Sequence, residues 1–113
     1  MNAKVFIPQM PARFDASGSR LWIPTINITP AKQFGELVEC LPPNANRLHT
    51  APLVAALREK MADITADDYI VAVGDPSLIA AASCIMSRKT GGIVRMLKWD
   101  RISSAYIPVE LNV

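Results

Sequence analysis

The stretch that most constrains the fold is Tyr69-Ile70-Val71-Ala72-Val73, followed by Gly74-Asp75-Pro76 and an alanine-rich run. Five apolar residues without a polar break suit a central strand covered on both sides. Asp75 is a good helix cap and Pro76 fits the first helical position. Leu78, Ile79, Ala82, Ile85 and Met86 then recur at helical spacing, which predicts a helix over 76–87. Ala80, Ala81 and Ala82 keep it slim enough to lie close on a sheet. A buried strand, a turn and a capped helix in this order belong to an α/β fold. The same turn gathers backbone N–H groups at one point, as anion sites do.

The rest of the chain fits around this unit. Residues 36–41 have strand character and Pro42-Pro43 stops them. The linker Asn44-Ala45-Asn46-Arg47-Leu48-His49 is polar and turn-like. A helix over 51–62 follows, with Thr50 as its cap and Leu53, Val54, Leu57 and Met61 on one stripe. Gly91-Gly92 ends the second helix, residues 93–99 form the next strand, and Asp100 to Ser104 reverse the chain into a last strand, 105–111. Two β-α-β units thus share strand 69–73, and each crossover should be right-handed. Strand order stays open. Upstream, Thr29-Pro30 starts a single helical turn that ends near Gly35. Residues 3–8 and 21–23 are expected to pair as an N-terminal hairpin turning at Asp15 to Gly18, or to form a surface arm. Pro8, Pro24 and Pro108 argue for edge strands, because each removes an N–H.

The expected architecture is therefore α/β: a small mixed sheet with a parallel centre, an antiparallel C-terminal hairpin and an N-terminal hairpin. At 113 residues this is one domain, with a core over 36–111 and the hairpin or arm within 1–28. Hydrophobic residues make up 50% and charged residues 19%, which excludes wholesale disorder. A net charge of +2 is low for a protein that coats DNA, although it allows a local basic stripe. Cys40 and Cys84 lie in apolar contexts, as buried small hydrophobes do. No signal-peptide pattern opens the chain and no apolar run approaches spanning length, so a soluble, cytoplasmic protein without a membrane partner is expected.

Five groups of residues are candidates for chemistry or binding. Gly74, Asp75 and Ser77 stand at the carboxyl end of a strand, where open sheets bind ligands. They lack a Gly-x-Gly-x-x-Gly or Walker pattern, Asp75 is itself anionic and Pro76 lacks a donor, so a structural cap is the favoured reading. Asp67 and Asp68 precede the strand that Asp75 follows. Strand ends are separated by roughly 15 Å, so no shared metal is expected, and the pair suits a solvent-facing turn. Arg88, Lys89, Arg95, Lys98, Trp99 and Arg101 form a basic, partly aromatic set suited to single-stranded nucleic acid. Ordinary solvent-facing cations on an edge hairpin are the favoured alternative, given so few positive charges. His49 is the one histidine, and no local motif supplies a nucleophile or further ligands. Phe6, Trp22 and Trp99, with Phe14, are large side chains on weakly patterned segments and are candidates for an interface. No cofactor is expected.

Val73-Gly74-Asp75-Pro76, Gly91-Gly92, Leu97-Lys98-Trp99-Asp100-Arg101 and Tyr106-Ile107-Pro108-Val109-Glu110, with Pro42-Pro43 and Asn46-Arg47-Leu48, resemble small uncharacterised proteins encoded by tailed bacteriophages. The similarity extends over most of the chain. It implies a bacterial-virus setting, the host cytoplasm, and a role in host takeover or phage DNA handling. It supplies no catalytic residues. The expected function is a non-enzymatic, self-associating binding protein that engages a bacterial host protein. The alternatives are nucleic-acid binding through the basic set and phosphate or nucleotide binding at Gly74 to Ser77.

Overall fold

A computed structural model describes residues 3–46 and 48–113; Arg47 of the linker lies outside them. The strands are β1 (Lys4–Gln9), β2 (Ala12–Phe14), β3 (Trp22–Pro24), β4 (Glu36–Leu41), β5 (Tyr69–Val71), β6 (Ile93–Asp100) and β7 (Ala105–Asn112). Two α-helices, α1 (Thr50–Lys60) and α2 (Pro76–Thr90), and a 3-10 helix (Thr29–Phe34) complete the elements. Five strands form one sheet in the order β4-β1-β5-β6-β7; β2 and β3 form a separate antiparallel pair. β4, β1, β5 and β6 are parallel, and β7 returns antiparallel to β6. The fold is thus mixed α/β with a parallel centre and an antiparallel C-terminal pair, as the sequence predicts.

One strand is placed differently from expectation. Residues 4–9 do not pair with 21–23 at an edge; they form an inner strand of the sheet, between β4 and β5. The N-terminal hairpin exists, but its strands are β2 and β3, closed by Ala12 opposite Pro24 and Phe14 opposite Trp22. β1 is central because Val5, Phe6 and Ile7 are a continuous apolar run that needs cover on both faces, and all three are buried.

Pro8 is tolerated there for a local reason. Lys4 N–H points toward β5, where it donates to the Asp68 carboxylate (2.8 Å). Alternation then aims the nitrogen of residue 8 to the same side, opposite the Val71 carbonyl. Proline has no proton to give, and Val71 takes the Val73 N–H instead (3.0 Å). The β1–β5 ladder ends at Phe6 opposite Ile70, and the strands part. β5 is shorter than predicted for the same reason.

The chain moves from β1 to β4 in one direction and from β4 past β1 to β5 and β6 in the other. With right-handed crossovers, opposite directions place the connections on opposite faces. α1 and α2 accordingly share one face: Leu53, Leu57, Met61, Leu78, Ala82 and Met86 pack with Phe6, Ile70 and Val94. Burying a side chain such as Leu57 or Met61 contributes about 1.5–3 kcal/mol. The other face is covered by the 3-10 helix and its approach, where Ala31, Ile28 and Phe34 meet Val5, Ile7, Val71 and Leu97. Phe34 meets Tyr69 edge-on, with centroids 5.5 Å apart.

Helix ends also differ from the predicted bounds. His49, not Thr50, precedes the first turn of α1, and its side chain makes no cap bond. α2 runs on to Thr90 before Gly91 turns left-handed (φ 74°), while Gly92 N–H closes onto Ser87 (2.8 Å). That pattern satisfies carbonyls the helix end would leave open.

Candidate functional site

The parting of β1 from β5 opens a crevice at the carboxyl ends of the parallel strands. This is the switch point of the topology, where open α/β sheets accommodate ligands. A cleft of about 380 Å³ lies there, lined by Pro11, Ile26, Asn27, Val73, Gly74, Trp99 and Tyr106. A smaller cleft of about 120 Å³ adjoins it beside Gln9, Met10, Thr25 and Pro43. Gly74 borders both. Its φ is +92°, and a Cβ there would stand 3.0 Å from the Gln9 carbonyl. A side chain would strain the turn and crowd the strands at the crevice.

The larger cleft is mainly apolar. Trp99 packs edge-on against Tyr106 (5.0 Å between centroids) and remains 42% exposed, so much of its surface faces solvent at the mouth. Tyr106 is buried, and burial pushes its hydroxyl pKa up. The Asn27 amide oxygen is engaged with Thr29 N–H (3.1 Å). Gln9, buried behind the crevice, donates to the Pro42 carbonyl (2.9 Å) and so fixes the β4 exit. Such a surface suits an apolar or aromatic group better than an ion.

The hairpin springs from the same rim, since Pro11 and Thr25 flank it and Thr25 N–H donates to the Pro11 carbonyl (2.8 Å). Phe14 and Trp22 pair across it with centroids 5.6 Å apart, and both stay exposed, as does Leu21. The Asp15 carboxylate accepts Gly18 N–H (3.1 Å) and Ser19 N–H (3.0 Å) and thereby closes the turn. These bonds hold its pKa below the usual carboxylate value.

The predicted anion site gains little. Asp75 stands at the α2 cap, but its side chain makes no cap bond; it accepts the Ser77 hydroxyl. Leu78 and Ile79 N–H both donate to the Asp75 carbonyl (3.1 Å each), and Pro76 has no proton. The first turn therefore offers an anion Ser77 N–H beside a carboxylate.

The basic set is divided. Arg88 and Lys89 end α2 next to the start of β6, while Lys98, Trp99 and Arg101 lie at its far end. The five residue steps from Ile93 to Lys98 span roughly 17 Å. Arg95 is engaged internally. Its guanidinium lies 4.1 Å from the Tyr69 ring centroid, donates to the Tyr69 hydroxyl and to the Ala66 carbonyl (3.0 Å), and faces Glu110 at 3.9 Å. Trp99 shares its face, and Lys98 projects on the other.

Three further expectations are corrected. Phe6 is 1% exposed within the helix-side core, so it presents nothing to an interface. Cys84 is exposed on the outer side of α2, whereas Cys40 is buried and its thiol is pushed up to about 12. Asp68 is not a solvent-facing residue but a buried acceptor. Among the described residues, no three of His, Cys, Asp and Glu come together as metal ligands. Pro11, Ile26, Asn27, Val73 and Tyr106 are not among the residues that the sequence marks as a site. Tyr106 was within reach, because a reversal at Asp100 to Ser104 puts it opposite Trp99.

A family model described as Phage Pam3 gp32-like protein matches residues 3–113, and the chain belongs to that family. No curated protein and no solved structure matches it. No helix among the described residues is long and apolar enough to cross a membrane.

Proposed function

We propose that this phage protein is a non-enzymatic binding module that takes an apolar side chain of a bacterial protein into its switch-point cleft. The observation that carries the proposal is Trp99, 42% exposed at the mouth of a 380 Å³ apolar cleft. Exposed aromatic rings beside a concave apolar surface are the usual anchors of protein interfaces. Trp22 and Phe14, on the hairpin that leaves the same rim, extend the contact surface. Self-association through these rings belongs to the same proposal, in keeping with a role in takeover of the host.

Capture from bacterial lysate, with the wild-type chain and a Trp99→Ala variant side by side, tests it. A protein held by the wild type and lost with the variant supports the cleft as the working surface. Equal retention by both overturns it. Light scattering tests the self-association, and a clean monomer at high concentration removes that part. A second reading rests on Lys98 and Arg101, exposed on either side of Trp99 in sequence. It requires salt-sensitive binding of a single-stranded oligonucleotide that Lys98→Glu and Arg101→Glu abolish.

A further inference from the structure

The sheet has two outer strands, and their free edges are not equivalent. At β7, the Leu97 carbonyl accepts Ala72 N–H (2.9 Å), so Leu97 turns its backbone toward β5. Its register partner Pro108 must then turn its own backbone away from β6. The outward row of β7 is therefore Tyr106, Pro108, Glu110 and Asn112, and Pro108 within it has no donor. A proline at this position is a common block against strand addition.

At β4 the alternation gives the opposite result. Glu36 N–H donates to the Ala3 carbonyl (3.0 Å), so Glu36, Val38 and Cys40 face β1. Leu37 and Glu39 consequently present N–H and C=O outward, and no backbone partner engages them among the described residues. A groove of about 260 Å³ adjoins the Glu39 end of this row, lined by Glu39, Cys40, Leu41, Pro42, Pro43 and Lys60. Glu36 and Glu39 are exposed, three positions apart, and neither forms an ion pair among the described residues. By strand alternation they project from opposite faces.

We infer that β4 is a docking edge for an extended segment of a partner protein that carries two basic residues three positions apart. The backbone row supplies the main-chain pairing, and the two carboxylates select the charge and its spacing. A second copy of this chain fits less well. β4 (Glu36–Leu41) carries no basic residue to set against Glu36 or Glu39 of a copy, and pairing centred on Glu39 would set that carboxylate opposite its mate, where like charges are destabilising. The inference uses neither the cleft nor the hairpin, so it stands or falls separately from them.

The test is a titration of the full chain followed by amide resonances at low salt. Two blocked hexapeptides of one composition serve as probes: Thr-Lys-Val-Thr-Lys-Val and Thr-Lys-Val-Lys-Thr-Val. The first is expected to shift and protect the amides of Leu37 and Glu39 and to bind roughly threefold more tightly than the second. The double variant Glu36→Lys, Glu39→Lys should lose that preference. Leu37→Pro should weaken both peptides by removing one outward donor, and the charge variant, at exposed positions, carries the test if the proline variant misfolds. No response at β4, a response confined to β7 or the cleft, or equal binding of both peptides overturns the inference. So does concentration-dependent protection of Leu37 and Glu39 without peptide, which would make the occupant a second copy.

Discussion

Asp68 ties together two strand starts that are distant in sequence. Its carboxylate accepts Lys4 N–H and Thr65 N–H, each at 2.8 Å, and the Thr65 hydroxyl at 3.3 Å. The residue is 5% exposed, so these donors have no ready substitute in water. Nothing local distinguishes it from Asp67, which is exposed. The distinction arises because β1 arrives beside it from 64 positions away, and a contact of that separation leaves no trace in spacing or composition. Leaving a buried donor unpaired costs about 1–3 kcal/mol. Asp68→Ala is therefore expected to lower unfolding free energy by roughly 2–4 kcal/mol in a denaturant titration, while Asp67→Ala stays within about 0.5 kcal/mol. Equal effects at the two positions would show that the carboxylate does not hold the strands. Phe6 and Cys84 illustrate the same limit. One was expected at a surface and is buried, the other was expected in the core and is exposed, because each depends on which neighbour the fold supplies.

At the scale of elements, the helices and β4 to β7 were legible because each carries its own punctuation: Pro42-Pro43, Asp75-Pro76, Gly91-Gly92 and the reversal at Asp100. The inner place of β1 is hidden in the sequence because Pro8 is a general sign of an edge, and here its missing proton falls where β1 leaves β5. Pro8→Ala restores a donor opposite the Val71 carbonyl. The new Ala N–H should compete with Val73 N–H for that oxygen and extend the β1–β5 ladder toward the crevice. Slow exchange of the new amide, with faster exchange at Val73, is the expected outcome; a freely exchanging amide at position 8 would refute the register argument. The hairpin depends on a different device. Bonds from Ser19 and Gly18 lower the Asp15 pKa in the folded arm. A group depressed on folding contributes stability above its unfolded pKa, and that contribution is lost as pH falls through the lowered value. The arm should therefore loosen on acidification below the ordinary carboxylate range, seen as faster exchange at Gly18 and Ser19. An Asp15→Ala arm should be loose already and lack that pH dependence.

For the whole molecule, the arm and the sheet are separable. The sheet has its own core on both faces, one under α1 and α2 and one under the 3-10 helix. None of residues 12–24 is fully buried. A two-stranded hairpin is marginal on its own in water, and this one keeps two aromatic rings exposed. That composition was legible as an arm, whereas its attachment at the cleft was not, because the cleft requires the strand order. The arm's ends are already joined where Thr25 N–H meets the Pro11 carbonyl. Replacing residues 12–24 with a short glycine-rich turn should therefore leave the helical signal and cooperative melting intact, with a midpoint shifted by only a few degrees. It should also weaken or abolish the lysate capture expected from the proposed cleft binding. Loss of cooperative melting would mean that the arm belongs to the core. A folded, armless chain whose capture equals that of the wild type would confine the proposed recognition to the cleft, with Phe14 and Trp22 playing no part in it.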